Sequence, residues 1–210
     1  MIKNIIFDLC GPIITLDLNM MDDKFKSFGV KNTDRPYRHL YELGITKEFE
    51  QNLISPSEFC DKVRSAFSCD ISDENIFDAW NTLIADFPAS HGKLLEALSG
   101  KYDLFLLSNS DVVNADFFRN YINGRMGYDF FGTVFTRTFF SCDLKLRKPS
   151  PEIFTTILQR CLLDPSETLF IDDCKKHTEG AAPVGISTVF LEKPLDIADL
   201  FDNDLNPVRP

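Results

Sequence analysis

Three apolar runs in this chain end on polar side chains, and those ends hold the residue types that do chemistry. Residues 3–8 (KNIIFD) end on Asp8, residues 103–108 (DLFLLS) on Ser108 followed by Asn109, and residues 168–173 (TLFIDD) on Asp172 and Asp173. Lys148 lies between the second and the third. A carboxylate can serve as a nucleophile or as an oxygen ligand for a hard cation. Hydroxyls and backbone amides donate to oxyanions, and a lysine supplies a compact positive charge. Taken singly, each has a plain alternative: Asp8 as a turn residue or cap, Ser108 as the cap of the next helix, Lys148 as a solvated loop lysine, Asp172-Asp173 as a polar turn. In an open parallel sheet, however, ligands bind beyond the carboxyl ends of the strands. Three such ends in order, with a lysine between the last two, converge on one site.

The elements that must position these groups follow from the pattern. The runs are short, rich in isoleucine, leucine and phenylalanine, and lack polar alternation, as buried parallel strands do. Residues 187–191 (STVFL) are a fourth candidate strand. Helix-length stretches separate them, which predicts an α/β fold with helices on both faces of the sheet. Ser150-Pro151-Glu152 and Ser55-Pro56-Ser57-Glu58 carry helix-start signals, the second a capping box. Asp164-Pro165 reads as a turn before the third run. Residues 17–87 show helical periodicity without a clear strand, in MMDDKFKSFGV, RPYRHLYELG, SEFCDKVRSAF and ENIFDAWNTLIADF. That block reads as a small α-helical cap inserted into a core made of residues 1–16 and 88–210. Pro88 marks the return, because it discourages helix at Phe87.

Composition narrows the partners. The chain has 210 residues and a formal charge of −10, so nucleic acid and anionic membrane surfaces are poor matches. An acidic protein that handles an anion must bring local positive charge, from a metal or a placed lysine. No run of about twenty apolar residues is present. The six cysteines lack paired C-x-x-C spacing and the three histidines are far apart, which argues against a zinc site. Reduced thiols in a cytoplasmic setting are the expectation.

In order and spacing the set resembles the haloacid dehalogenase (HAD) superfamily, from Ile5 to about Leu191. The first motif stands as Asp8-Leu9-Cys10-Gly11-Pro12-Ile13, the second as Leu106-Leu107-Ser108-Asn109, the third as Arg147-Lys148-Pro149, and the fourth as Phe170-Ile171-Asp172-Asp173. The resemblance implies a Rossmann-like core, a helical cap after the first motif, and hydrolysis of a small phosphomonoester through an aspartyl-phosphate on Asp8. Mg²⁺ would be held by Asp8, Asp173 and the backbone carbonyl of Cys10. Asp172 would hold a metal-bound water or share ligation, and Lys148 would neutralise the nucleophile and phosphate. Ser108 and the amide of Asn109 would donate to phosphate oxygens. Within the cap, Glu50 and Asn81 are candidates for touching polar groups of the substrate, and Trp80 for a packing anchor.

The chain departs from the family pattern at Cys10, where phosphatases of the family carry a second aspartate acting as acid and base. A thiol, with an ordinary pKa of about 8.5, is a poor substitute. Losing a positioned acid–base group removes on the order of 10²–10⁴ in rate. The run through Asp17 is similar to a subgroup with glycine at that position, which includes sugar-phosphate phosphatases acting on glucose 1-phosphate; Asp17 itself reads equally as a hinge carboxylate. His177 stands where relatives commonly have asparagine; an imidazole near a helix start could tune the site, but the simpler reading is an inert one. Two other readings remain: a metal-free haloacid dehalogenase, opposed by the paired acids, and an idle domain that binds a phosphorylated ligand or partner. Oligomeric state is not legible.

Overall fold

A computed structural model of the chain describes residues 1–208. It begins with β1 (Asn4–Phe7) and β2 (Thr15–Leu16), then runs through five helices: α1 (Leu18–Ser27), α2 (Pro36–Glu42), α3 (Ile45–Glu50), α4 (Pro56–Phe67) and α5 (Asp73–Asn81). After β3 (Ile84–Asp86) and α6 (Ala89–Ser99) come β4 (Asp103–Ser108), α7 (Val112–Met126), α8 (Phe130–Val134), β5 (Arg137–Phe140) and α9 (Ser141–Leu144). The chain then forms α10 (Pro151–Cys161), β6 (Thr168–Asp172), α11 (Lys175–Ala181) and β7 (Ser187–Phe190).

Five strands form one sheet in the order β5-β4-β1-β6-β7, parallel throughout. The central strands alternate in two directions, and both faces are covered, which explains why they read as continuous apolar runs. Ile5, Phe7, Leu104, Leu106, Leu169 and Ile171 point into the larger core. Ile6, Phe105, Leu107 and Phe170 point the other way, against Ile153, Phe154 and Ile157 of α10. Phe7 is level with Leu106 on one side and Ile171 on the other. The next step therefore brings Asp8 beside Leu107 and Asp172, at the carboxyl edge.

Three strands escape the sequence pattern: β5, β3 and the two-residue β2. β5 lies at the sheet edge and starts on the exposed Arg137, so it shows neither a buried run nor a polar terminus. β3 falls in a stretch with helical periodicity and is only three residues long. It pairs antiparallel with β2, and the Asp17 amide donates to the Leu83 carbonyl at 2.9 Å. The helical segment thus leaves and rejoins the sheet-bearing part at one ribbon. Asp17 caps α1, its Oδ1 accepting from the Asn19 amide at 2.9 Å. The capping box at Ser55 and Glu58 forms, whereas Ser150 holds the N-cap position of α10 without a side-chain hydrogen bond.

The helical segment has an aromatic centre. Phe49 stacks on Phe59 at 4.2 Å between ring centroids, and Phe59 lies 4.8 Å from Trp80. Trp80 Nε1 donates to Asp111 Oδ2 at 2.8 Å, while Asp111 Oδ1 accepts the amides of Val113 and Asn114 as the N-cap of α7. One buried carboxylate therefore ties α5 to the start of α7. Asp111→Ala should lower stability by about 3 kcal/mol, about 1 from the lost cap and the rest from an unpaired buried indole N–H. Trp80→Phe, which leaves the cap intact, should lose less; denaturant titration of both variants checks the order, and equal losses would refute the shared-carboxylate account.

Candidate active site

Lys148 is the hub of the carboxyl edge. Its side chain is 0% exposed, and Nζ lies 2.7 Å from Asp8 Oδ1, 2.7 Å from Asp172 Oδ2 and 2.9 Å from the Leu107 carbonyl. A buried ammonium survives only when paired and fully hydrogen-bonded. Although burial works against it, the two carboxylates hold the lysine pKa above its ordinary value. Asp172 is held below the ordinary carboxylate range, because Lys148 and His177 outweigh its burial. Asp8 behaves oppositely: burial and the Asp172 charge, opposed by Lys148, push it up to about 8. The single lysine is thus not enough for the carboxylates around it.

The turn carrying Lys148 is fixed by Asn109. Asn109 Nδ2 donates to the Lys148 carbonyl at 3.0 Å and Oδ1 accepts the Lys148 amide at 2.9 Å. The side chain of Asn109 is therefore committed to the backbone of Lys148. Ser108, at the end of β4, is buried and shares a hydrogen bond with Ser110 at 2.8 Å.

Beyond β1 the chain turns at Gly11, whose φ is +109°. A Cβ there would lie 2.2 Å from Asp173 Oδ2, so glycine is required by conformation and by space. This packing presses the Cys10–Gly11 loop against the Asp173 carboxylate. Among the described residues, neither Asp8 Oδ2 nor the Cys10 carbonyl receives a hydrogen bond from the chain. Asp173 is itself raised, by burial and by the Asp172 charge. These oxygens, with a deficit of positive charge around them, suit a hard divalent cation. Asp8, Asp172 and His177 also bring ligand-type atoms within 4.8 Å of one another, but Lys148 Nζ already bonds both carboxylates of that cluster. The Asp8–Asp173 side fits a metal better. The Cys10 thiol is pushed well above its ordinary pKa by burial and by Asp8, so it stays protonated.

A cavity of about 290 Å³ opens above these groups. Asp8, Cys10, Ser108, Asn109, Lys148 and Asp173 line its floor, and Glu50 reaches it from α3. Asp172 sits behind Lys148, fully buried and outside the lining. Asn81 is not among the lining residues either: its Oδ1 accepts from Asn114 Nδ2 at 3.0 Å, so it joins α5 to α7. His177 does line it, with Nδ1 bonded to Asp172 at 3.0 Å. Sequence reasoning missed Arg147, Thr46, Tyr37 and Asp111, all in the lining. Arg147 was within reach, since it directly precedes Lys148; the others come from helices whose alignment with the cavity depends on tertiary packing.

Comparison with known proteins agrees with this arrangement. A haloacid dehalogenase-like hydrolase family model matches residues 2–185. A D-ribitol-5-phosphate phosphatase from Bacteroides thetaiotaomicron is 26% identical over 202 residues, covering 93% of this chain and 95% of that protein. A crystal structure of an HAD-family enzyme from Bacteroides thetaiotaomicron, in complex with magnesium and inorganic phosphate, superposes with a TM-score of 0.88 at 33% identity, covering 96% of this chain and 100% of the other. A predicted HAD-like hydrolase from Porphyromonas gingivalis gives a TM-score of 0.83 at 26% identity, with 93% of each chain covered. With the four motifs gathered at one sheet edge, the chain belongs to the haloacid dehalogenase-like hydrolases.

Proposed function

We propose that this hydrolase is a Mg²⁺-dependent phosphatase of a small phosphomonoester, plausible candidates being sugar and polyol phosphates, with Asp8 as nucleophile. The observation that carries the reading is the pairing of Asp8 and Lys148 at 2.7 Å beneath the cavity, with one Asp8 oxygen free of protein hydrogen bonds. One Asp8 oxygen attacks phosphorus while the other is left for the cation; the ester P–O bond breaks, the alcohol leaves with a proton from solvent, and an aspartyl-phosphate forms. Attack by water at phosphorus then releases phosphate and restores Asp8. Lys148 neutralises the anionic pair during both steps. Ser108 and the Asn109 amide donate to phosphate oxygens. Asp8, Asp173 and the Cys10 carbonyl would hold Mg²⁺, which when bound screens the approach of a carboxylate to an anionic phosphate. That need is visible in the raised Asp8 and Asp173 carboxyls. Asp172 anchors Lys148 rather than meeting the substrate. Residues 17–87 act as a cap whose helices close over the bound ester.

Relatives and chemistry support the substrate class together. The phosphatase relative acts on D-ribitol 5-phosphate, and a related structure binds magnesium with phosphate. Three carboxylates at one edge, two of them facing the cavity, oppose a metal-free attack on carbon. A second reading, binding a phosphorylated ligand without turnover, draws on Cys10, a neutral thiol where an acid–base group is wanted.

Hydrolysis of p-nitrophenyl phosphate, whose leaving group needs no proton, separates the two. Turnover with Mg²⁺, abolished by EDTA and by Asp8→Asn, is the expected result; no turnover above the Asp8→Asn background sinks the phosphatase reading. Lys148→Met should reduce kcat by at least 10²-fold, since two buried carboxylates lose their counter-charge. Cys10→Asp should raise kcat on an alkyl phosphate by roughly 10²-fold, and much less on p-nitrophenyl phosphate; an equal gain on both would show that proton donation is not what the thiol lacks.

A further inference from the structure

The wall of the cavity supplied by α3 holds polar atoms that the fold leaves without partners. Thr46 is 1% exposed, and its Oγ1 is buried with no hydrogen-bond partner. Glu50 lies one turn further along the same face of α3, since positions four apart on a helix are neighbours. Its Oε2 takes both Arg147 contacts, Nε at 2.9 Å and Nη2 at 2.8 Å. Glu50 Oε1 and the Tyr37 hydroxyl accept no hydrogen bond from the chain among the described residues, and Thr46, Glu50, Tyr37 and Arg147 all line the cavity. Thr46 Oγ1 is a buried polar atom without a partner, which is unfavourable unless something else supplies the bond, and the unbonded Glu50 Oε1 and Tyr37 hydroxyl belong to residues of the same cavity wall.

We propose that Thr46, Glu50, Arg147 and Tyr37 form a hydroxyl-reading subsite that selects the monophosphate of a neutral polyhydroxylated chain. The proposal rests on the phosphatase reading and names what that reading leaves open. A carboxylate accepts from two hydroxyls, a guanidinium donates to them, and a threonine or tyrosine hydroxyl does either. Such a set matches adjacent hydroxyl groups, which are themselves both donors and acceptors. Charge excludes the main competitor: Glu50 and Arg147 cancel, and the nearby buried Asp111 adds negative charge, so a second phosphate or a carboxylate on the substrate finds no counter-ion here.

The subsite is also placed at a set reach from the phosphate. Arg147 immediately precedes Lys148, so the guanidinium and the ammonium leave one turn in opposite directions, one toward α3 and one beneath Asp8. The Glu50 carbonyl accepts from Ser141 Oγ at 2.6 Å, and Ser141 Oγ also accepts the Ser110 amide at 2.9 Å. One serine therefore ties α3 to the loop that follows Ser108. A site built to bond hydroxyls discriminates strongly against analogues that lack them, because its own polar groups are then left unpaired.

The test compares kcat/KM on the better of D-ribitol 5-phosphate and glucose 1-phosphate with kcat/KM on p-nitrophenyl phosphate, in the Mg²⁺-loaded enzyme. The ratio of the two should fall at least ten-fold in Glu50→Gln and several-fold in the near-isosteric Thr46→Val, chiefly through KM for the polyol ester. Ser141→Ala, which loosens the seat of α3 and with it the reach of the whole subsite, should lower the same ratio. If Glu50→Gln and Thr46→Val leave the ratio where it was, or lower both substrates equally, the subsite proposal is overturned while the phosphatase reading stands. If the wild-type protein hydrolyses no phosphate ester above its Asp8→Asn variant, the phosphatase reading fails first and takes the subsite with it.

Discussion

A buried ammonium held between two carboxylates is the constraint around which this structure is organised. Lys148 cannot be solvated, so its three hydrogen-bonding directions must be met by Asp8, Asp172 and the Leu107 carbonyl, and these come from three adjacent strands. The register of β4, β1 and β6 is thereby tied to the chemistry: a slip by one residue would turn Asp8 or Asp172 to the opposite face and strand the charge. Support extends outward from the same turn. The Phe170 ring lies 5.5 Å from Lys148 Nζ, and Asn109 holds the Lys148 backbone by two hydrogen bonds. Gly180 of α11 comes so close that a Cβ would lie 2.1 Å from the Pro149 carbonyl oxygen. Helix, turn and strand are packed to one another at van der Waals limits on behalf of a single charge.

The helical segment meets the sheet-bearing part through polar contacts that flank the cavity. On one side Trp80 and Asn81 meet Asp111 and Asn114, and on the other Glu50 meets Arg147 and Ser141. Between them the aromatic cluster of Phe49, Phe59 and Trp80 is continuous with the larger core beneath the sheet. The segment is thus held to the sheet-bearing part by one short ribbon, two polar seams and a shared apolar core.

Much of the floor of the site was legible because parallel strands write their ends plainly. Asp8, Ser108 and Asp172-Asp173 close buried apolar runs, and a polar residue at such a position has a specific place to go. The edge strand β5 was not legible, since half of its side chains face solvent and its run carries no polar terminus. The wall was less legible still. Asn81 and Trp80 are neighbours on α5, yet only Trp80 lines the cavity, while Asn81 turns to Asn114. Which face of α3 or α5 meets the cavity depends on how helices pack on α7 and α9, and no local period in the chain encodes that angle. The same reason hides Thr46, whose unpartnered hydroxyl has meaning only beside Glu50 and Arg147.

The charge balance gives Cys10 a physical context. The chain is acidic overall, and its carboxyl edge already carries Asp8, Asp172 and Asp173 with one buried lysine. A fourth carboxylate at position 10 would face the same low-dielectric surroundings that push Asp8 up to about 8, and each added negative charge there raises the others further. A neutral thiol leaves the carbonyl of residue 10 available and adds no charge to the cluster. It also adjoins Ser108, where a small, weakly polar group packs against the hydroxyl without competing strongly for its hydrogen bonds. A thiol here thus offers no ready proton-transfer group and spares the cluster a further charge. On the proposed phosphatase reading, poor leaving groups would turn over slowly, and selectivity would fall more heavily on the wall of the cavity than on the chemistry of its floor.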